Sequence, residues 1–263
     1  MSEIVMELKN VGKTYENGGK NEKAVKDVSL TFYRGEIFGL VGESGCGKST
    51  LAKLITCFER PDQGEVLFKQ KNITSITRKA VRDYRKNVQM IFQNPDSSIP
   101  PRMKIGRFVQ EPLLNYQLCT KDEAGQKMVR LLEAVGLKEH FMNRYPRQMS
   151  GGEKQRACIA RVLGMNPEMI VFDEATSALD VFVQKQVGEL LKELHAKSGG
   201  TYILIGHDLA FIQQMCSRIA VMYQGEIVEI LESANLKNAR HPYTKLLLDS
   251  VFNVKNNKVN FGL

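Results

Sequence analysis

GESGCGKST, residues 42–50, is the stretch from which the fold can be read. It satisfies G-x-x-x-x-G-K-[ST] through Gly42, Gly47, Lys48 and Ser49, follows the apolar run EIFGLVG (36–42) and precedes LAKLITCF (51–58), whose spacing is helical. Strand, glycine-rich turn and helix in that order make a phosphate cradle. The glycines let the backbone aim its N–H groups at phosphate oxygens, and the start of a helix favours anions. Gly42, Glu43, Ser44, Gly45, Cys46, Gly47 and Thr50 wall the cradle. Lys48 adds a point charge for β and γ phosphates, and Ser49 offers a hydroxyl to Mg²⁺.

Around this loop, β-rich runs IVMEL (4–8), VSLTFY (28–33) and EVLFK (65–69) are punctuated by the turn strings ENGG and RPDQG. Val88 to Phe92 reads as another strand. Residues 104–145 carry helical spacing, with Met128, Leu131, Leu132 and Val135 on one face, and form a helical insertion. After Ser150 the chain alternates: a helix from Glu153, the strand MIVFD (169–173), a helix from about Val181, the strand TYILIG (201–206), and a helix from Asp208. Such alternation builds a parallel sheet, hence an α/β fold. RIAVMYQGEIVEI (218–230) is a hairpin turning at Gln224-Gly225, and HPYTKLLLDSV (241–251) a closing helix with Pro242 in its first turn. The last dozen residues are expected to fray. QNPDSSIPPRM (93–103), with three prolines, is expected to hold no regular element.

The 263 residues are 43% hydrophobic and 25% charged, without low-complexity repeats, which fits one folded unit. Apolar runs are too short to span a bilayer, and MSEIVMELKN lacks the basic-then-apolar order of a secretion signal, so residence in the cytosol is expected. Five cysteines, widely spaced and without a CxxC pair, read as reduced structural thiols. The formal charge of +8 is compatible with nucleic acid, an anionic lipid surface or a phosphate-rich ligand and, being spread along the chain, does not choose among them; a nucleic-acid partner is not among those expected.

Three further strings carry chemistry. MIVFDEA (169–175) sets two carboxylates at the end of a buried strand, where Asp173 reaches a metal shell and Glu174 polarises an attacking water. His207 follows the strand TYILIG, on the edge where ligands gather in parallel sheets, and is placed to sense a γ-phosphate. MSGGEKQR (149–156) offers Ser150-Gly151-Gly152 as a second small-residue turn at a helix start. That turn is either an ordinary cap or a grip on the nucleotide of a neighbouring subunit.

Taken in order, GESGCGKST, Gln93, MSGGEKQR, MIVFDEA, SALD and GHD resemble the ATP-binding subunit of the ABC superfamily across nearly the whole chain. The resemblance implies a P-loop NTPase ABC ATPase fold with a RecA-like core, an antiparallel β subdomain and a helical subdomain. Residues 1–251 would form this single domain, with the helical subdomain at about 94–165 inserted in the core and 252–263 a short tail. It implies a head-to-tail dimer with two ATP molecules and Mg²⁺. Residue by residue, Tyr15 would stack on adenine and Gln93 would sense metal and water. Glu174 would be the general base, Asp173 would support Mg²⁺ and His207 would contact the γ-phosphate. Asp180 would lie in the dimer contact, and Ser150 to Gly152 would close the partner's site. Three positions depart from the usual pattern: Ala175 in place of Pro, Met149 in place of Leu, and Gly206 in place of Ser or Thr. None removes a catalytic group.

QNPDSSIPPRMKIGRFVQEPL (93–113) and HPYTKLLLDSV narrow the resemblance to the dipeptide, oligopeptide and nickel import family. The short tail and Ala175 lean toward its nickel or metal-chelate branch. The resemblance implies work at the cytoplasmic face of the membrane beneath two permeases, served indirectly by an extracytoplasmic substrate-binding protein. A second, different ATPase would be the usual partner, with a homodimer permitted. The segment after Gln93 would be the joint to the permease. The alternative from a different class is a soluble ABC ATPase serving an enzyme complex, as in carbon–phosphorus bond cleavage.

Overall fold

The computed structural model describes residues 3–17, 19–175 and 180–257. In chain order the elements are β1 (Ile4–Asn17), β2 (Lys20–Tyr33), β3 (Ile37–Val41), α1 (Lys48–Ile55), β4 (Gln63–Phe68) and β5 (Lys71–Asn72), followed by α2 (Arg78–Asn87), β6 (Val88–Ile91), α3 (Pro95–Ser98), α4 (Ile105–Asn115), α5 (Lys121–Ala134) and α6 (Gly151–Leu163). The chain closes with β7 (Met169–Asp173), α7 (Val181–Ser198), β8 (Thr201–Gly206), α8 (Leu209–Met215), β9 (Arg218–Tyr223), β10 (Glu226–Glu232) and α9 (Pro242–Asn257). Short 3₁₀ turns occupy Glu139–Asn143, Pro146–Gln148 and Ser233–Asn238. The Ser177–Leu179 part of SALD and residues 258–263 lie outside the described residues.

The chain divides into two compact units, 1–77 with 201–263, and 78–200. The first contains an antiparallel sheet of order β2-β1-β4-β5 and a second sheet in which β3 lies between parallel neighbours β8 and β9, with β10 antiparallel outside β9. Every residue of β3 is buried, so its sequence, IFGLV, reads as an unbroken apolar run. β1 and β2 are much longer than the runs 4–8 and 28–33, because β-bulges near Asn10 carry the pairing on through polar residues to Asn17 and Lys20. Arg218 fastens the second sheet to the end of β2: its guanidinium lies over the rings of Tyr33 and Phe38, donates to Thr31 O and pairs with the buried Glu36 carboxylate at 3.1 Å.

The second unit pairs β6 with β7 in parallel and packs α4, α5 and α6 together through Phe108, Val109, Leu113, Met128, Leu132 and Ala160. The helical spacing over 104–145 is realised as α4, α5 and a 3₁₀ turn. Thr120 starts α5 with a capping box to Glu123. Met128, Leu132 and Val135 are buried as the spacing requires, and Leu131 is half-buried. Pro112 sits inside α4, where it has no N–H for the Phe108 carbonyl four residues earlier. The Arg161 guanidinium of α6 donates to that carbonyl, stacks on the Phe108 ring at 4.5 Å and pairs with Glu111 at 2.8 Å.

Two expectations are corrected. QNPDSSIPPRM does hold a regular element, the one-turn helix α3. Asn94 accepts the Asp96 N–H at 2.8 Å as N-cap, and Pro95 takes the first helical position, where a missing N–H costs nothing. α9 runs on to Asn257, past the expected end at 251. The five cysteines are free, and burial pushes the Cys158 thiol up to about 12. No helix among the described residues is long and apolar enough to cross a membrane.

Candidate functional site

In the first unit, the loop 42–50 leaves the buried end of β3 and enters α1. Gly47, the residue before the helix, has φ 110°, and a Cβ there would meet Ala24 O at 2.1 Å, so no side chain fits. The Lys48 ammonium is buried and donates to the Gly42 and Glu43 carbonyls at 2.8 Å each, which satisfies the charge inside the loop. Burial pushes the Cys46 thiol up, against the opposing pull of Lys48. The register Val41↔Gly206 brings the next residues, Gly42 and the exposed His207, to the same edge of the sheet. Asp208 caps α8 by accepting the Phe211 N–H at 3.0 Å. Tyr15, on β1, is half-buried. Its hydroxyl bonds to Glu59 and also interacts with Thr50, so the phenol stands beside the end of the loop. Burial, and after it the Glu59 hydrogen bond, raise its pKa.

In the second unit, the register Ile91↔Phe172 brings the residues after β6 and β7 together. Asp173 is buried at the last position of β7. Glu174 follows with φ 47°, a left-handed conformation that a side-chain-bearing residue adopts at a cost of order 1 kcal/mol and that recurs at functional sites. Gln93 Nε2 donates to Glu174 Oε2 at 2.8 Å.

A separate cluster lies at the starts of α6 and α7. Ser150 is an N-cap in a reciprocal capping box: its Oγ accepts the Glu153 N–H at 3.3 Å, and Glu153 Oε2 accepts the Ser150 N–H at 2.8 Å. Of the two readings of this turn, the cap is thus present. It leaves the amides of Gly151 and Gly152, the first two of the helix, outside the intrahelical ladder. A Cβ on Gly152 would meet Val183 Cγ1 at 2.6 Å, so the two helix starts touch there. Asp180 caps α7 through the Val183 N–H at 3.0 Å. Val181 and Phe182 beside it are 83% and 70% exposed, an apolar pair left uncovered on the isolated chain.

Two groups had no signal of their own in the sequence. Lys154, on the next turn of α6, donates to Asp96 of α3 at 2.6 Å and so ties the second glycine turn to the segment after Gln93. Tyr243 of α9 accepts the Glu43 N–H at 2.9 Å, two hundred residues away in the chain.

A glycine loop with a buried lysine between strand and helix in one unit, and a carboxylate pair at the end of the buried strand β7 in the other, define a nucleotide-binding ATPase cassette. The chain belongs to the ABC transporter family, whose model matches residues 25–177, more than half its length. It is 43% identical over 254 residues to the oligopeptide transport ATP-binding protein OppF of Bacillus subtilis (strain 168), which spans 95% of this chain and 83% of that protein. It is 42% identical over 250-odd residues to the dipeptide transport ATP-binding protein DppF of Lactococcus lactis subsp. cremoris (strain MG1363), spanning 94% of this chain and 81% of the relative. Among solved structures it is similar to the dimeric post-hydrolysis state of the ATP-binding cassette MJ0796 bound to ADP and Pi. That match has a TM-score of 0.80 and 31% identity, over 87% of this chain and 98% of the other.

Proposed function

We propose that this chain is the ATP-hydrolysing subunit that drives a membrane importer of peptides. The observation that carries the reading is the near full-length similarity to ATP-binding proteins named for oligopeptide and dipeptide transport. Those names put peptides ahead of nickel or metal chelates as the cargo class, and lend no support to a soluble enzyme-complex role.

ATP is the substrate. The amides of 42–50 and the Lys48 ammonium hold its phosphates, Tyr15 faces the base and His207 the γ-phosphate. Among the described residues no group of three or more His, Cys, Asp or Glu side chains could cage a metal. The Ser49 hydroxyl in the first unit, and the Gln93 amide oxygen and buried Asp173 carboxylate in the second, are each hard oxygen donors of the kind that would hold Mg²⁺. Mg²⁺ carried in with ATP would supply charge neutralisation at the phosphates. Glu174 accepts the proton of the attacking water, and its bond from Gln93 fixes the carboxylate's direction.

A second ATPase subunit, identical or different, covers the exposed Val181-Phe182 pair and receives the Ser150–Gly152 start of α6 on its nucleotide. The permeases dock at the segment after Gln93, where Asp96, Ile99, Pro101, Arg102, Tyr145 and Arg147 line a groove of about 600 Å³. Lys154–Asp96 ties the dimer-facing turn to that groove. The chain then works as a peripheral protein at the cytoplasmic face of the membrane. Single cysteines at Ser98 or Met103 should crosslink to a permease loop in native membranes. Failure across several linker lengths, with the chain recovered in a soluble assembly, would overturn the transport reading.

A further inference from the structure

We infer that Tyr243, on the first turn of α9, is a positioning residue for the phosphate loop. The C-terminal helix thereby sets the affinity of the nucleotide site. This rests on reading 42–50 as that site.

The loop is held from outside by two elements late in the chain. The β9–β10 turn supplies one bond: the Gly225 N–H donates to Cys46 O at 3.0 Å. α9 supplies the other, through the Glu43 N–H to Tyr243 Oη at 2.9 Å. Glu43 is the residue after the first glycine of the loop, and its carbonyl accepts from both Lys48 Nζ and the Cys46 N–H. A shift at Glu43 therefore moves the ammonium that meets phosphate.

Tyr243 is itself fixed. It is 7% exposed, and its ring lies against Tyr223 at a centroid distance of 4.2 Å. Its own N–H donates to His241 Nδ1 at 3.2 Å. The chain just before is pinned to β10 by Glu229, whose carboxylate accepts the Arg240 N–H at 2.7 Å and the His241 N–H at 3.2 Å. The path β10, Glu229, His241, Tyr243, Glu43 is continuous and ends on the loop. A phenol held this firmly orders the amide before nucleotide arrives, so binding pays less ordering entropy.

The test uses the full chain with Tyr243→Phe, which keeps the ring contact and removes one hydroxyl. ATP affinity should weaken roughly 2- to 10-fold, the range for one neutral hydrogen bond. kcat should stay within about twofold. Exchange of the Glu43 amide, followed by NMR, should quicken while the amides of Phe38 and Leu40 in β3 hold their rates. A hydroxyl that served only to seat α9 would quicken exchange in the helix and leave both Glu43 and ATP affinity unchanged, and that result overturns the inference. If the wild-type chain fails to bind ATP at all, the reading of the loop fails instead. Should Tyr243→Phe be poorly folded, Glu229→Gln, which loosens the same path one step back, should weaken ATP binding in the same direction, and unchanged affinity there counts against it.

Discussion

Ser150 performs one task in the structure, capping α6, and the proposed dimer asks a second of it, meeting a phosphate. Three substitutions separate them. Ser150→Ala removes the oxygen that accepts the Glu153 N–H and leaves half of the capping box. The loss of such a cap costs about 1 kcal/mol, or roughly 2–4 °C of melting temperature for a chain of this size. Asn and Asp cap helices about as well as Ser, so Ser150→Asn and Ser150→Asp should both melt within about 1 °C of wild type. They differ in charge alone. If a γ-phosphate lies against this helix start, a carboxylate there repels it by about 4 kcal/mol at ~4 Å in an effective dielectric of ~20, a rate loss on the order of a thousandfold. Phosphate release by the Asn variant should therefore exceed that of the Asp variant by at least about a hundredfold, with both equally folded by calorimetry. Equal rates would mean that the turn is a cap and nothing more.

Arg161→Met should cost about 1.5–3 kcal/mol, because the Phe108 carbonyl orphaned by Pro112 loses its charged donor. In a Pro112→Ala background, where a backbone N–H returns, the same change should cost clearly less by urea titration. The Lys13 ammonium and the Thr14 N–H hold the Asp62 carboxyl below its usual range, so its contribution to stability is present above the unfolded value near 3.9 and lost as pH falls through the folded one. Asp62 is about half exposed and the effect small, but the gap between wild type and Asp62→Asn should close below about pH 4. Gly206→Ser should be tolerated, since a Cβ there meets nothing closer than 3.7 Å, and both melting temperature and hydrolysis should be near wild type.

The core strands were legible because they are buried on both faces. IFGLV, MIVF and YILI are unbroken apolar runs that no surface element would carry. The turn at Gln224-Gly225 was legible for a different reason, since both residues take positive φ and Gly225 accepts it without strain. What stayed hidden depends on partners far away in the chain. β1 and β2 pair through bulges that no local periodicity marks. Asn94-Pro95-Asp96 is a regular helix start, obscured by the two prolines that follow it. In the site, each glycine, lysine and acidic residue announced itself by type and spacing. Tyr243 and the Lys154–Asp96 pair did not, because their meaning lies in contacts across 200 and 58 positions of sequence.

The proposed role of Glu174 as the base for ATP hydrolysis is decided by one comparison: ATP binding and phosphate release by the wild-type chain and Glu174→Gln under the same conditions. Glutamine keeps the size and hydrogen-bonding reach of the side chain that meets Gln93 but cannot take a proton at neutral pH. ATP affinity should stay within a few-fold of wild type, and hydrolysis should slow by about a hundredfold or more. Normal turnover by Glu174→Gln would contradict that role.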